Sequence, residues 1–285
     1  MKVLVTGVKG QLGYDVVKRL DKLNIENKGV DIEDFDLTKE DEVFAYVENY
    51  KPDIIIHCAA YTAVDRAEDD KELCKSVNCD GTRHMALAAK KVDAKLVYIS
   101  TDYVFDGTGT DFYKPEDKKN PVSVYGKTKA MGEDEVISIL EKYFIVRISW
   151  VFGINGNNFV KTMLRLGKER DELNVVSDQI GSPTYTVDLA RLLVDMALTD
   201  KYGIYHATNE GICSWADFAS LIMEKGERRA KVNYITSDAY PTKARRPFNS
   251  RLSKDKLEEN GFGRLPSWQD ALSRYVEELK ERELL

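Results

Sequence analysis

The seven residues Gly7-Val8-Lys9-Gly10-Gln11-Leu12-Gly13 constrain the fold more than any other stretch, because of what flanks them. Before them, Val3 to Thr6 is a short apolar run that reads as a strand; after them, Gln11 to Leu23 carries the apolar spacing of an amphipathic helix. A strand that passes into a helix through glycines at this spacing matches the opening turn of a dinucleotide-binding βαβ unit. The glycines have separate tasks: Gly7 permits a tight turn, Gly10 admits a pyrophosphate close to the backbone, and Gly13 lets helix pack on strand. The helix N-terminus then offers its N–H groups to the diphosphate. A turn of purely structural glycines has the same local sequence, so the rest of the chain must decide.

That remainder keeps the same rhythm. Asn27 to Asp31 reads as a second strand, Thr38 as the N-cap of a helix running to about Asn49, and Asp53 to Cys58 as a third strand. A long helix over about Glu72 to Lys91, a strand over Lys95 to Ser100, a helix over Ser123 to Lys142 and a strand over Phe144 to Ile148 follow. Repeated β-α crossover predicts a doubly wound α/β sheet of Rossmann type over residues 1–150. Beyond Trp150 the elements shorten. Phe159 to Leu166, Asp188 to Leu198, Trp215 to Lys225 and Trp268 to Leu279 read as helices, and Leu173 to Val176 and Val232 to Ile235 as strands. Pro241, Pro247 and Pro266 break the last third into loops, so residues 151–285 are expected to form mainly a smaller lobe, with room for segments that return to the first domain.

Composition narrows the function classes. At 285 residues, 43% hydrophobic and 32% charged, the chain can bury a full core and does not read as disordered. With 42 basic side chains against 48 acidic ones, it offers no basic surface for nucleic acid. No run approaches the roughly 20 apolar residues of a membrane span, and the first residues lack a leader's apolar stretch, so a cytoplasmic protein is expected. Cys58, Cys74, Cys79 and Cys213 lack Cys-x-x-Cys spacing and His57, His84 and His206 are scattered, which predicts free thiols and no catalytic metal.

Asp31 follows the glycine turn at the end of the second strand, where a carboxylate accepts hydrogen bonds from adenosine ribose hydroxyls and repels a 2′-phosphate. It favours NADH over NADPH, with nearby Lys28 acting the other way. Asp36-Leu37 could flank the adenine, or form a simple turn. Further on, Tyr125 and Lys129 stand four residues apart and share one helix face. A nearby ammonium stabilises a phenolate, so the pair suits proton transfer. Thr101 ends the fourth strand, where open α/β sheets place ligands, and its hydroxyl can hold a carbonyl.

The glycine turn, the Thr101 strand end and Tyr125-x-x-x-Lys129 together resemble the extended short-chain dehydrogenase/reductases. Within that superfamily, six blocks resemble the dTDP-4-dehydrorhamnose reductase family. They are Ala59-Ala60-Tyr61-Thr62-Ala63-Val64-Asp65, Ser100 to Phe105, Arg147-Ile148-Ser149-Trp150-Val151, Asn157-Asn158-Phe159, Asp178 to Thr184, and Arg245 to Ser250. The resemblance implies NAD(P)H-dependent reduction of the C4 ketone of dTDP-4-dehydro-L-rhamnose, a dTDP-4-keto-6-deoxy sugar, to dTDP-L-rhamnose. It implies that Tyr125 protonates the alkoxide, that Lys129 binds nicotinamide-ribose hydroxyls and lowers the Tyr125 pKa, and that Thr101 holds the ketone. Cofactor contacts are implied at Gly7, Gly10, Gln11, Leu12, Asp31, Asp36, Leu37, Ala59, Ala60, Tyr61, Tyr125 and Lys129. Substrate contacts are implied at Thr62, Val64, Thr101, Tyr103 and Trp150 in the C-terminal substrate-binding arrangement, with Arg245 and Arg246 as candidates for the diphosphate. Asn78 matches an asparagine near the active site of many extended members, without a direct role assigned. A homodimer is the assembly the resemblance suggests. The scaffold also carries nucleotide-sugar epimerases and dehydratases, which retain NAD, and resembles the non-catalytic β subunit of methionine adenosyltransferase. Asp102 followed by Tyr103-Val104-Phe105 looks like the reductase rather than a dehydratase.

Overall fold

The computed structural model describes all 285 residues. The first half runs β1 (Lys2–Thr6), α1 (Gln11–Lys22), β2 (Glu26–Val30), α2 (Glu40–Tyr50) and β3 (Ile54–His57), then two short helices, α3 (Val64–Ala67) and α4 (Lys71–Lys75). A π turn over Ser76–Asp80 leads into α5 (Gly81–Lys91), followed by β4 (Lys95–Thr101), α6 (Val124–Ile139) and β5 (Tyr143–Ile148). The second half runs β6 (Val151–Phe152), α7 (Phe159–Glu169), β7 (Glu172–Val176), β8 (Ile180–Gly181), β9 (Thr184–Tyr185), α8 (Thr186–Ala197) and β10 (Gly203–His206). It closes with β11 (Cys213–Ser214), α9 (Trp215–Lys225), β12 (Lys231–Ile235), α10 (Asp255–Glu259) and α11 (Trp268–Glu281).

Six strands form one parallel sheet in the order β10-β5-β4-β3-β1-β2. Successive side chains of a strand point to opposite faces, and a sheet covered on both faces therefore needs apolar residues at nearly every position. Val3 and Val5 of β1 and Ile54 and Ile56 of β3 enter one core with Leu12, Val16 and Leu20 of α1 and Leu189 and Leu193 of α8. Leu4 and Ile55 enter the opposite core, with Val43 and Val47 of α2, Met85 of α5 and Val136 of α6. A third core, including Phe152, Leu164, Phe218, Ile222, Trp268 and Tyr275, holds the C-terminal lobe together. The predicted doubly wound α/β sheet is present.

Four local expectations change. Thr38 is not the N-cap of α2: its hydroxyl donates to Asp36 Oδ1 at 2.8 Å, and the helix begins after Lys39 without a side-chain cap. Glu40, Asp41 and Glu42 fill the first turn instead, where negative charge meets the positive end of the helix dipole. The helix predicted over Glu72 to Lys91 is divided by the π turn, and the one predicted to Lys142 stops at Ile139, where Leu140 turns extended. Finally, β10 had no counterpart among the expected strands. It pairs with β5 at the sheet edge and, with α8 packed over α1, carries part of the second half back onto the sheet.

Candidate active site

The strand ends converge on a cavity of about 680 Å³, with the glycine turn at one part of its wall and Thr101, Tyr125 and Lys129 at another. The turn follows β1 directly. Gly7 has φ +70°, and a Cβ there would approach Ala59 N to 2.7 Å, so only glycine allows the turn beside the β3 loop. Gly10 caps α1 without any side-chain hydrogen bond, and no acidic residue lies in the helix's first turn. No protein carboxylate therefore competes for those N–H groups, an arrangement that fits a dinucleotide's diphosphate. Gln11 and Leu12 line the same wall.

Just beyond β2, Asp31 lines this cavity and a second one of about 230 Å³, which it shares with Asp36, Leu37, Ala59 and Ala60. Its carboxylate accepts N–H bonds from Lys9 and Ile32, both at 2.9 Å. Glu33, at 2.5 Å from Lys9 Nζ, and Asp34, whose carboxylate accepts the Asp31 N–H, add further negative charge here. Asp36 both lines the smaller cavity and closes a turn, accepting the N–H and hydroxyl of Thr38. Tyr61 lines neither cavity, and its hydroxyl donates to Asp70 at 2.9 Å.

The π turn explains the position of Asn78. Its side-chain oxygen accepts Tyr61 N–H at 2.8 Å, and its amide nitrogen donates to Tyr61 O at 3.1 Å and to Thr128 Oγ1 at 3.2 Å. Asn78 thereby ties the loop after β3 to α6, one residue from Lys129.

Helix α6 begins at a cap in which Ser123 Oγ accepts Gly126 N–H at 3.1 Å, and its first turns present Tyr125 and Lys129 to the cavity. The Tyr125 ring meets Tyr103 edge-on at 5.5 Å. Tyr125 keeps some exposure to the cavity, yet desolvation pushes its phenol above the ordinary value, with the Thr101 hydroxyl working against that shift. Lys129 is buried, with its ammonium 4.0 Å from the centroid of the Tyr98 ring. Burial pulls it down to about 7, against the attraction of Glu133. Thr101 donates to Asp102 Oδ1 at 3.0 Å, and Asp102 also accepts the Ser250 hydroxyl. Burial raises the Asp102 carboxyl to about 6, with Ser250 and Thr101 opposing.

Thr62, Val64, Tyr103 and Trp150 line the cavity as well. Arg246 does not: it lies behind Tyr103, donating to Tyr103 Oη at 3.3 Å and to Asp65 Oδ2 at 2.7 Å, while Arg245 is exposed. Two contributors had little sequence signal. The loop after β6 brings Gly156, Asn157 and Asn158 to the cavity, with Asn155 donating to Lys9 O at 2.7 Å and Asn158 to Gln11 Oε1 at 3.0 Å. Of this loop the sequence singles out only Asn157-Asn158-Phe159, as a block of family resemblance without an assigned role. Asp102 resembles the reductases by sequence, and in the fold it is a buried acid that accepts the Thr101 hydroxyl.

The profile of the RmlD substrate binding domain family matches residues 1–281. A dTDP-4-dehydrorhamnose reductase of Aggregatibacter actinomycetemcomitans is 45% identical over 95% of this chain and 97% of its own. The crystal structure of a dTDP-4-dehydrorhamnose reductase from Clostridium acetobutylicum superposes with a TM-score of 0.96 at 43% identity, covering 98% of this chain and all of that one. The Bacillus anthracis dTDP-4-dehydrorhamnose reductase, solved in complex with NADP, gives 0.95 at 43% identity over 97% and 99% of the two chains. With likeness of this degree along nearly its whole length, the chain belongs to the dTDP-4-dehydrorhamnose reductase family.

Proposed function

We propose that the protein reduces the C4 ketone of dTDP-4-dehydro-L-rhamnose to dTDP-L-rhamnose with a nicotinamide cofactor. The observation that carries this reading is one cavity whose wall includes both the uncapped glycine turn and Thr101, Tyr125 and Lys129. A bound reduced nicotinamide supplies the hydride. The turn and Asp31 hold the diphosphate and adenosine ribose, and the smaller cavity between Leu37 and Ala60 suits the adenine. With substrate bound, the Thr101 hydroxyl turns from Asp102 to donate toward the sugar O4, where negative charge develops, and Tyr125 Oη delivers its proton there. Lys129, as an ammonium, holds ribose hydroxyls and orients the phenol. Thr62, Val64, Tyr103 and Trp150 wall the sugar. The four cysteines are unpaired, which fits a reducing cytoplasm.

The direct test is oxidation of NADH by dTDP-4-dehydro-L-rhamnose. One cofactor consumed per sugar supports the reductase. Conversion of the sugar without net oxidation would make the protein an epimerase or dehydratase.

For the cofactor, Asp31, Glu33 and Asp34 gather negative charge beside the adenosine end, and Glu33 neutralises Lys9. Like charges brought together cost several kcal/mol, so a 2′-phosphate is disfavoured and NADH is preferred. Asp31→Ser is expected to raise kcat/KM for NADPH relative to NADH by at least about tenfold. An unchanged ratio would show that preference is set elsewhere.

Lys129 carries a pH consequence. A lowered ammonium pKa means the charged form is lost as pH rises through about 7. NADH affinity, followed by fluorescence titration, is therefore expected to weaken as pH passes that value. A flat profile would remove the Lys129 charge from cofactor binding.

A further inference from the structure

Trp150 is the only non-glycine residue of the main cavity wall with left-handed backbone, at φ 51°. Bulky residues persist in that region only where their surroundings over-determine them. Three contacts do so. The Trp150 carbonyl accepts the N–H of Thr184 at 3.1 Å, where β6 starts beside β9. The indole lies against Gly181, whose Cβ, were there one, would approach Trp150 Cε2 to 2.8 Å. It also stacks on Trp215, with ring centroids 3.8 Å apart and planes 15° from parallel.

Trp215 is not part of the cavity wall. It opens α9, behind a capping box in which Ser214 Oγ accepts the Asp217 N–H and the Asp217 carboxylate accepts the Ser214 N–H. Phe159 packs on Trp215 as well, with ring centroids 4.6 Å apart. Gly181 stands opposite Cys213 in the β8–β11 pair, so the two neighbours of the Trp150 indole belong to one small ribbon and the helix it starts. The stack thus links a capped helix start to a residue of the cavity wall.

We infer that Trp215 is a positioning residue which, by stacking on Trp150, fixes the indole wall of the sugar end and thereby sets affinity for the deoxysugar nucleotide. The inference rests on the reductase reading of the cavity. A flat apolar wall grips the sugar equally before and during hydride transfer, so its loss appears in KM and not in kcat. Stacked indoles also couple their transitions, giving a circular-dichroism couplet that reports the pair without turnover.

Trp215→Leu is expected to abolish that couplet and raise KM for dTDP-4-dehydro-L-rhamnose about tenfold, with kcat and NADH affinity close to wild type. Trp215→Phe, which keeps an aromatic face, should recover most of the affinity. An unchanged KM in Trp215→Leu with the couplet lost would overturn the inference. So would a fall in kcat, NADH affinity and thermal stability in parallel, since that is the mark of a merely structural residue. If the wild-type enzyme does not reduce the sugar, the reductase reading fails separately. Calorimetric titration with dTDP-L-rhamnose then decides the stack: weaker binding to Trp215→Leu supports it, and equal binding overturns it.

Discussion

Tyr125→Phe is expected to lower kcat for dTDP-4-dehydro-L-rhamnose by about 10²–10⁴-fold, the usual contribution of a positioned proton donor. The expectation depends on the direction of the reaction. Reduction requires a phenol that still holds its proton, and desolvation raises Tyr125 above its ordinary value, so the acid form prevails at neutral pH. A phenolate would be the wrong species. Phenylalanine keeps the ring and its edge-on contact with Tyr103 at 5.5 Å, and leaves Lys129 on its own turn of α6. NADH affinity and the sugar KM should therefore change little, because the hydroxyl acts on charge that exists only as the alkoxide forms. Steady-state NADH oxidation measures the loss and fluorescence titration the retained affinity. Wild-type rates in the variant would remove Tyr125 from the mechanism.

The sequence revealed those parts of the site whose chemistry is local. Gly7, Gly10 and Gly13 act within one turn, Tyr125 and Lys129 within one helix, and each strand before a loop announces itself by apolar runs. What stayed hidden depends on partners far along the chain. For Arg246 the sequence left a diphosphate contact and a salt bridge both open, and its bond to Asp65, 181 residues away, is invisible to local sequence. Trp215 carries no motif, and it stacks on Trp150, 65 residues away, at the end of the β8–β11 pair. The strand β10 is four residues long, and only its place beside β5 makes it part of the sheet. The Thr38 cap failed for a different reason: two local signals competed, and the Asp36 turn claimed the hydroxyl.

Glu133→Ala should destabilise the fold by about 3–5 kcal/mol, because it leaves a buried guanidinium without its charge partner. Glu133 and Arg147 are both buried, joined by two bonds, Nε to Oε1 at 2.9 Å and Nη2 to Oε2 at 2.8 Å. Burial alone would raise the Glu133 pKa, but Arg147, Lys119 at 3.4 Å and the Ser100 hydroxyl outweigh it and hold it below the usual 4.5. A depressed carboxyl contributes stability that is complete above that unfolded-state value and is lost as pH falls through the folded one. Thermal unfolding at neutral pH should show a loss on the order of 10 °C, with a smaller gap between variant and wild type in acid. The double replacement Glu133→Leu with Arg147→Met should regain most of the stability, since removing both charges also removes the desolvation penalty. It should not regain full activity. Glu133 stands one turn beyond Lys129, and its Oε1 accepts the hydroxyl of Ser100, the neighbour of Thr101, at 2.5 Å. The pair therefore ties the end of β4 to the catalytic helix, and an apolar substitute fills its volume without restoring that tie. A double variant as stable and as active as wild type would show that packing alone sets the distance between Thr101 and Lys129.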